Sequence, residues 1–318
     1  MKVLHLSASY PYNDLYRNLL CELDRKGIDQ LMYVALKDKN KKNKRILSNA
    51  KSTSYIFSNP FNNLDRYIYY TKINKILKDL EKNVDVKSFN LIHAHFLFSD
   101  GGVAYKLKKK YGTNYIVAVR NTDINFFFKY ALHVRNYGIK ILKEASKIIF
   151  ISPSYKEYLF NKYIPKKYIQ HFRKKSHVIP NGLDNYWLEN MYFERPKKQN
   201  FESLNIISVG DLNMNKNVLT SLKVIKLLKD KGYKVKFDIV GEGPLKKTIS
   251  KLIGDLSLQN DVKLHGYINN KDKLRDLYRK SDIYLMPSIT ETFGLVYIEA
   301  MSQGLPVIYS RNQGIDGF

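Results

Sequence analysis

The residue pair with the most specific chemical spacing in this 318-residue sequence is Glu291 and Glu299, in the stretch Ser288-Ile-Thr-Glu291-Thr-Phe293-Gly294-Leu295-Val-Tyr-Ile-Glu299-Ala-Met301. Short apolar runs at 283–286 and 306–309 flank it, so it reads as strand, loop, helix, strand, with the helix starting near Gly294. One carboxylate falls in the loop and the other about a turn and a half into the helix. The first-turn N–H groups between them have no intrahelical acceptor, and such groups bind anions. A phosphate at the helix start, with a carboxylate for hydroxyls on either side, is what a nucleotide sugar asks for. Glu291 as a plain helix cap and Glu299 as a solvated side chain would show the same spacing, so these residues alone leave both readings open.

Other polar residues fall where strands end. The run at 91–96 closes in His93 and His95, the run at 115–119 leads into Arg120-Asn-Thr-Asp123, and the run at 147–151 closes in Ser152. In open α/β sheets ligands sit at the carboxyl ends of strands, so His95, Arg120, Asp123 and Ser152 are expected to line one cleft. His93 and His95 lie on one strand face and form a metal pair at most. No Cys/His/carboxylate cluster of zinc spacing and no Asp-x-Asp dyad accompanies them, so no metal is expected. Gly241-Glu-Gly243 lacks the third glycine of a dinucleotide fingerprint, and no P-loop occurs; nicotinamide chemistry and nucleotide triphosphate hydrolysis are disfavoured.

The elements that must position these residues alternate strand and helix. Residues 3–7 read as a strand, 15–26 as a helix and 30–36 as a second strand, a βαβ opening that predicts a parallel sheet. Asn13 or Asp14 caps that first helix. Residues 37–51 read as a basic loop and 64–82 as a helix; helices follow at 101–111, 131–145 and 156–175, the last broken by Pro165. Low apolar content at 192–202 marks a linker. Strands at 204–209, 235–240 and 262–265 then alternate with helices at 218–231 and 271–280, and Gly241–Pro244 is expected to open another helix.

The length allows two domains, here 1–195 and 196–318. A single cysteine, Cys21, excludes an internal disulfide and fits a reducing, cytoplasmic setting. No apolar run approaches the roughly 20 residues that span a bilayer. The net charge of +25 comes from 54 basic residues, 43 of them Lys, against 29 acidic ones. It is unevenly spread: residues 1–200 hold 37 basic and 16 acidic side chains, residues 201–318 hold 17 and 13. A basic first half suits an anionic membrane or polyanionic acceptor. With no nucleic-acid-binding motif beside the charge, a nucleic-acid partner is not expected.

Together these residues resemble the retaining glycosyltransferases of family 4 (glycosyltransferase group 1). The resemblance is carried by Glu291-x7-Glu299, with support from His177-Val-Ile-Pro-Asn-Gly-Leu-Asp184, Ser208-Val-Gly210 with Lys216, Gly241-Glu-Gly-Pro244 and His265-Gly-Tyr267. His93-Ala-His95 and Arg120-Asn-Thr-Asp123 match more loosely. It implies an α/β GT-B fold, two Rossmann-like domains with parallel sheets facing across a cleft. It also implies transfer of a hexose-type sugar from a nucleotide-diphosphate sugar to a glycan or lipid-linked acceptor, without a metal or other cofactor, in surface polysaccharide or glycolipid synthesis. Peripheral attachment to the inner membrane face fits that role. A non-catalytic nucleotide-sugar-binding module and a nucleotide-sugar epimerase share the fold.

Carried over by position, the resemblance makes Glu291, Arg120 and Asp123 catalytic. Lys216, Gly210, Gly241, Glu242, Phe293, Gly294, Leu295 and Glu299 bind the donor. His95 and Asn13 stand on the acceptor side. Lys216 and the N–H groups of Phe293, Gly294 and Leu295 would stabilise the leaving diphosphate. Three departures stand out: Asp211 where an Arg is usual, Pro11-Tyr-Asn13-Asp14 in place of a Gly-Gly pair, and Arg120 in place of a His. The family continues beyond Ile308 with further elements, so the chain is expected to be a fragment lacking about 50 residues.

Overall fold

Strands of three to seven residues, most of them apolar and each followed by a helix or turn, build two all-parallel sheets in this computed structural model. It describes residues 1–62, 64–66, 68–194 and 203–318. The chain divides into two units, Met1–Gly182 and Leu183–Phe318. The division falls before the expected 195, because residues 184–192 bond to the second unit: Lys271 pairs with Asp184 and the Gln303 amide donates to the Asn190 carbonyl. Residues 195–202 of the expected linker lie outside the described residues.

The first unit contains β1 (Lys2–Leu6), β2 (Asp29–Ala35), β3 (Thr53–Ser58), β4 (Leu91–Ala94), β5 (Tyr115–Val119), β6 (Lys147–Phe150) and β7 (Ser176–Val178). Its helices are α1 (Leu15–Arg25), α2 (Tyr69–Asn83), α3 (Ser99–Tyr111), α4 (Leu132–Glu144), α5 (Pro153–Tyr163) and α6 (Lys166–Lys174). The strand order is β3-β2-β1-β4-β5-β6-β7. Leu4 pairs with Ile92 and Val117 with Ile148, all four inaccessible to solvent. Each such side chain contributes about 1.5–3 kcal/mol of burial free energy.

The second unit contains α7 (Asn185–Glu189), β8 (Ser203–Val209), α8 (Val218–Asp230), β9 (Lys234–Val240), α9 (Lys246–Asp255), β10 (Val262–Gly266), α10 (Lys271–Lys280), β11 (Ile283–Met286), α11 (Leu295–Ser302) and β12 (Val307–Tyr309). Its sheet order is β10-β9-β8-β11-β12. Each sheet therefore reverses its winding direction once, between β1 and β4 in the first unit and between β8 and β11 in the second. Loops leaving two such strands part to opposite faces and leave a crevice, where ligands bind in sheets of this kind.

Three elements differ from the sequence expectation. Edge strand β3 lies between the expected basic loop and helix; its half-buried residues alternate too weakly to announce a strand. The backbone after β5 winds as a π-helix, Asp123–Phe128, before α4 begins. Pro244 does not open a helix: α9 starts at Lys246, because the glycines of the preceding turn are committed to another contact described below.

Candidate functional site

In the second unit the crevice between β8 and β11 collects most of the expected donor residues. The chain leaves β8 at Gly210 and makes a tight turn over Met214–Lys216, started by the Asn213 side chain, which accepts from the Lys216 N–H at 3.1 Å. This aims the Lys216 stem across Gly210, whose bare Cα lies under its Cδ and Cε. The ammonium reaches Glu291 in the loop after β11, Nζ to Oε2 2.6 Å. Both groups are largely sheltered, at 19% and 12% exposure. With little water to screen them, the two charges attract strongly, against the cost of desolvating both.

Two asparagines that the sequence reading passed over lock this pair in place. The Asn215 amide donates to the Thr290 carbonyl at 2.7 Å, its oxygen accepts from the Thr290 N–H at 3.0 Å, and its own carbonyl accepts from Ile289 N–H. The Asn217 amide donates to the Pro287 carbonyl, and its backbone takes the left-handed conformation that turns the chain into α8. The signal was visible as Asn at 213, 215 and 217 around Lys216. Each side chain mimics a backbone group, which short amides do well in turns.

Glu291 itself is held from both sides. Its N–H donates to the Gln313 side chain and its carbonyl accepts from Gly314 N–H, so the segment after β12 braces the loop. Its Oε1 accepts from Thr292 N–H. The chain enters α11 through Gly294 at φ +79°, and the Glu291 stem packs against that glycine. Phe293 is buried, its ring edge-on to Phe318. Among the described residues no side chain caps α11, so its first N–H groups are offered beside the Lys216–Glu291 pair.

The floor of the crevice is backbone on backbone. A Cβ on Gly241 would lie 1.9 Å from the Gly210 carbonyl oxygen, and one on Gly243 2.5 Å from that of Leu212. Backbone bonds tie the two turns: Gly210 N–H donates to the Val240 carbonyl, Leu212 N–H to that of Glu242, and in return Leu245 N–H to that of Leu212. Glu242 turns outward to Lys246 and is half-exposed. Asp211, which stands where the family usually has an Arg, is exposed.

Glu299, further along α11, sits among other partners. Tyr278 and Trp187 lie close to its carboxylate and favour its charged form. Burial nevertheless dominates and raises its pKa to about 7, with nearby Asp184 adding to the rise and Lys271 opposing it. The buried Tyr284 hydroxyl feels both Glu291 and Glu299, and donates to the Val209 carbonyl.

In the first unit the crevice between β1 and β4 holds a second polar group. His95 is fully buried, its Nε2 3.1 Å from Nδ1 of His5, and the edge of Tyr16 meets its ring. His5 was not singled out in the sequence; parallel register sets it directly beside His93. Burial holds all three imidazoles neutral, with His5 lowered to about 4. A nitrogen from each lies within 4.8 Å of the others, among the described residues the one set able to share a cation. Arg120, whose charge acts on His93 and His95, opposes one there.

Arg120 is fixed by Asn181, which accepts from its guanidinium at 2.8 Å, and lies over the Tyr16 ring. Asp123 is buried with its oxygens taken up by three backbone N–H groups, those of Leu97, Phe98 and Arg120, at 2.9–3.0 Å. Burial raises its pKa to about 6 against those bonds. It clamps the loop after β4 to the loop after β5, and so places Arg120. Ser152 caps α5. Asn13 is exposed and accepts from Leu15 N–H, capping α1 rather than joining the His95 group.

Comparison with known proteins agrees with this geometry. Residues 15–185 match the model of Glycosyltransferase Family 4, and residues 192–317 that of Glycosyl transferases group 1. An uncharacterised glycosyltransferase of Methanocaldococcus jannaschii is 25% identical over 254 residues, 75% of this chain and 62% of the relative. The amylovoran biosynthesis glycosyltransferase AmsK of Erwinia amylovora is 31% identical over 120 residues, 36% of this chain and 29% of the relative. The chain thus spans less than two thirds of the length of these relatives. Among solved structures, HepE of Anabaena in complex with UDP and glucose superposes with a TM-score of 0.65 at 17% identity, covering 99% of this chain and 81% of that one.

Proposed function

This chain belongs to glycosyltransferase family 4 and has the GT-B fold, and on that footing we propose that it transfers a hexose-type sugar, with retention, from a nucleotide-diphosphate sugar to a glycan or lipid-linked acceptor. The observation that carries the reading is the Lys216–Glu291 pair at the β8/β11 switch point, beside the uncapped start of α11. A diphosphate there gains a cation and free N–H donors, all positioned before it arrives. Such preorganised donors are where electrostatic catalysis of leaving-group departure comes from.

Lys216 is neutralised by Glu291 without ligand. An incoming diphosphate, with more charge and more oxygens, draws the ammonium to itself and frees the carboxylate for hydroxyls of the transferred sugar. Glu299, further along α11, takes the ribose hydroxyls. In the first unit Arg120 offers a fixed positive charge to the acceptor side, and Asp123 acts as its positioning residue. Residues present supply every role, so no metal is written into the reaction. The UDP complex of HepE supports a uridine donor, and the relation to AmsK supports a growing surface polysaccharide as acceptor.

Titrating UDP-, GDP- and ADP-sugars against the protein tests the proposal, with donor hydrolysis and transfer as readouts. One nucleotide is expected to bind well above the others, and both binding and turnover to fall in Lys216→Ala and Glu299→Ala. Binding of none, or activity indifferent to both substitutions, sinks the reading.

A further inference from the structure

The basic segment 37–51 has no use in that scheme, and it is not a freely solvated loop. It carries seven basic side chains and one acid, Asp38. Arg45 takes the left-handed conformation, φ +63°, and is held there through both its backbone and its side chain. Its Nε donates to Asp14 at 2.8 Å and its Nη1 to the Pro11 carbonyl at 2.7 Å, while its own carbonyl accepts from the Tyr10 hydroxyl. Leu47 is buried, and its N–H donates to the Tyr55 hydroxyl. At the far end Asp24 of α1 accepts from the N–H groups of Lys51 and Ser52 at 3.0 and 2.8 Å. Pinned at both ends, residues 47–51 stand against α1 and form with it a pocket of about 400 Å³.

The lining gives this pocket a sign. From α1 come Arg17, Cys21, Asp24 and Arg25, at i, i+4, i+7 and i+8, one face of a helix. Lys51 joins them from the facing segment. Arg25 is paired with Glu22 at 2.6 Å. Half-buried Arg17 and exposed Lys51 make no side-chain hydrogen bond or ion pair among the described residues. Asp24 is the single acid in the lining, and its oxygens are already taken by four donors, the Ser52 and Thr53 hydroxyls besides the two N–H groups. Two cations without a partner, beside a carboxylate whose bonds are filled, call for an anion. The volume calls for an organic one, since pockets of roughly 300–1,000 Å³ take small molecules rather than bare ions.

We propose that this pocket binds a phosphate monoester of a small polyhydroxy compound, a sugar phosphate, at a site that shares no residue with either crevice. A monoester carries about 1.5 to 2 negative charges at neutral pH, which matches two unpaired cations; a carboxylate carries one. The Arg17 fork takes two phosphate oxygens at once, and Lys51 adds a point charge beside it. Ser48 and Asn49, both exposed in the lining, supply donors and acceptors for the hydroxyls of the sugar.

Cys21, the one cysteine of the sequence, lines the pocket and so reports its occupancy. Its alkylation by iodoacetamide, an uncharged reagent, is timed alone and with glucose 6-phosphate, inorganic phosphate, glucose, glucuronate or UDP. Glucose 6-phosphate is expected to slow the labelling about tenfold at about ten times its Kd, an effect that fades as salt rises. Inorganic phosphate should protect less, and glucose, glucuronate and UDP should leave the rate near its free value. Arg17→Gln/Lys51→Gln should abolish the protection, while the rate without any addition and the affinity for UDP stay those of the parent. Should that variant fold poorly, calorimetric titration of glucose 6-phosphate into the parent decides the matter. Protein already alkylated at Cys21 should bind it at least about tenfold more weakly than untreated protein, because one pocket of this size does not hold both groups. No slowing by glucose 6-phosphate, protection untouched by the double substitution, or equal protection by inorganic phosphate, glucuronate or UDP would each overturn the proposal.

Discussion

At the scale of single residues, Lys216 and Glu291 should respond in opposite ways. Lys216→Met removes the cation proposed to meet the donor diphosphate and is expected to lower kcat/KM about 10²–10³-fold, as loss of a transition-state donor does. Glu291→Gln frees Lys216 from its counter-ion. UDP alone should then bind as well or more tightly, while sugar transfer falls; calorimetric UDP titration beside a transfer assay separates the two. Glu299 carries a pH signature. Its pKa of about 7 lies above the 4.5 of a free glutamate because of burial. The folded state therefore holds a proton that the unfolded chain has released, and stability contributed by the neutral form is lost as pH rises from about 4.5 through 7. The shift corresponds to something on the order of 3 kcal/mol. Glu299→Gln should melt higher than the parent at pH 8 and together with it near pH 5. The same melting point difference at both values would contradict the assignment.

Among elements, the turns after β8 and β9 are the least tolerant. Gly241→Ala places a methyl against the Gly210 carbonyl oxygen, which is backbone in a central strand turn and has nowhere to go. We expect the second unit to lose several kcal/mol, seen as a large fall in denaturation midpoint, with UDP binding lost alongside. Gly254→Ala in the last turn of α9, with only the end of Gln259 nearby, should stabilise by up to about 1 kcal/mol. These glycines look alike in the sequence, and so did several elements. The alternation of strands and helices was legible because parallel strands read as apolar runs and surface helices as 3.6-residue patterns. Edge strand β3 was not, since it buries little on either face. Nor was the π-helix, which rests on aromatic packing between Phe127, Phe128 and partners far away in sequence.

For the whole molecule, the two units have separate cores and the residues proposed to bind the donor lie in the second. Saturating UDP should raise the melting of the second unit by an amount set by RT ln(1 + [L]/Kd), leaving the first unit's transition in place. A calorimetric scan in which both or neither transition moves would count against donor residues confined to Leu183–Phe318. The charge divides in the same way: Met1–Gly182 carries 34 of the 54 basic residues and 13 of the 29 acidic ones.

Composition and order of residues by themselves determined two parallel α/β units, the family, and the loop-to-helix placement of Glu291 and Glu299, because these follow from periodicity and from motifs contiguous in the chain. Tertiary structure decided what each polar group faces. Lys216 meets Glu291 across 75 residues because β8 and β11 are neighbours at the switch point. His5 joins His93 and His95 through the register of β1 on β4. Asp123 is spent on three backbone N–H groups that no spacing could reveal. Local sequence sets what an element is; only strand order and register, which depend on the whole core, set which elements share a crevice.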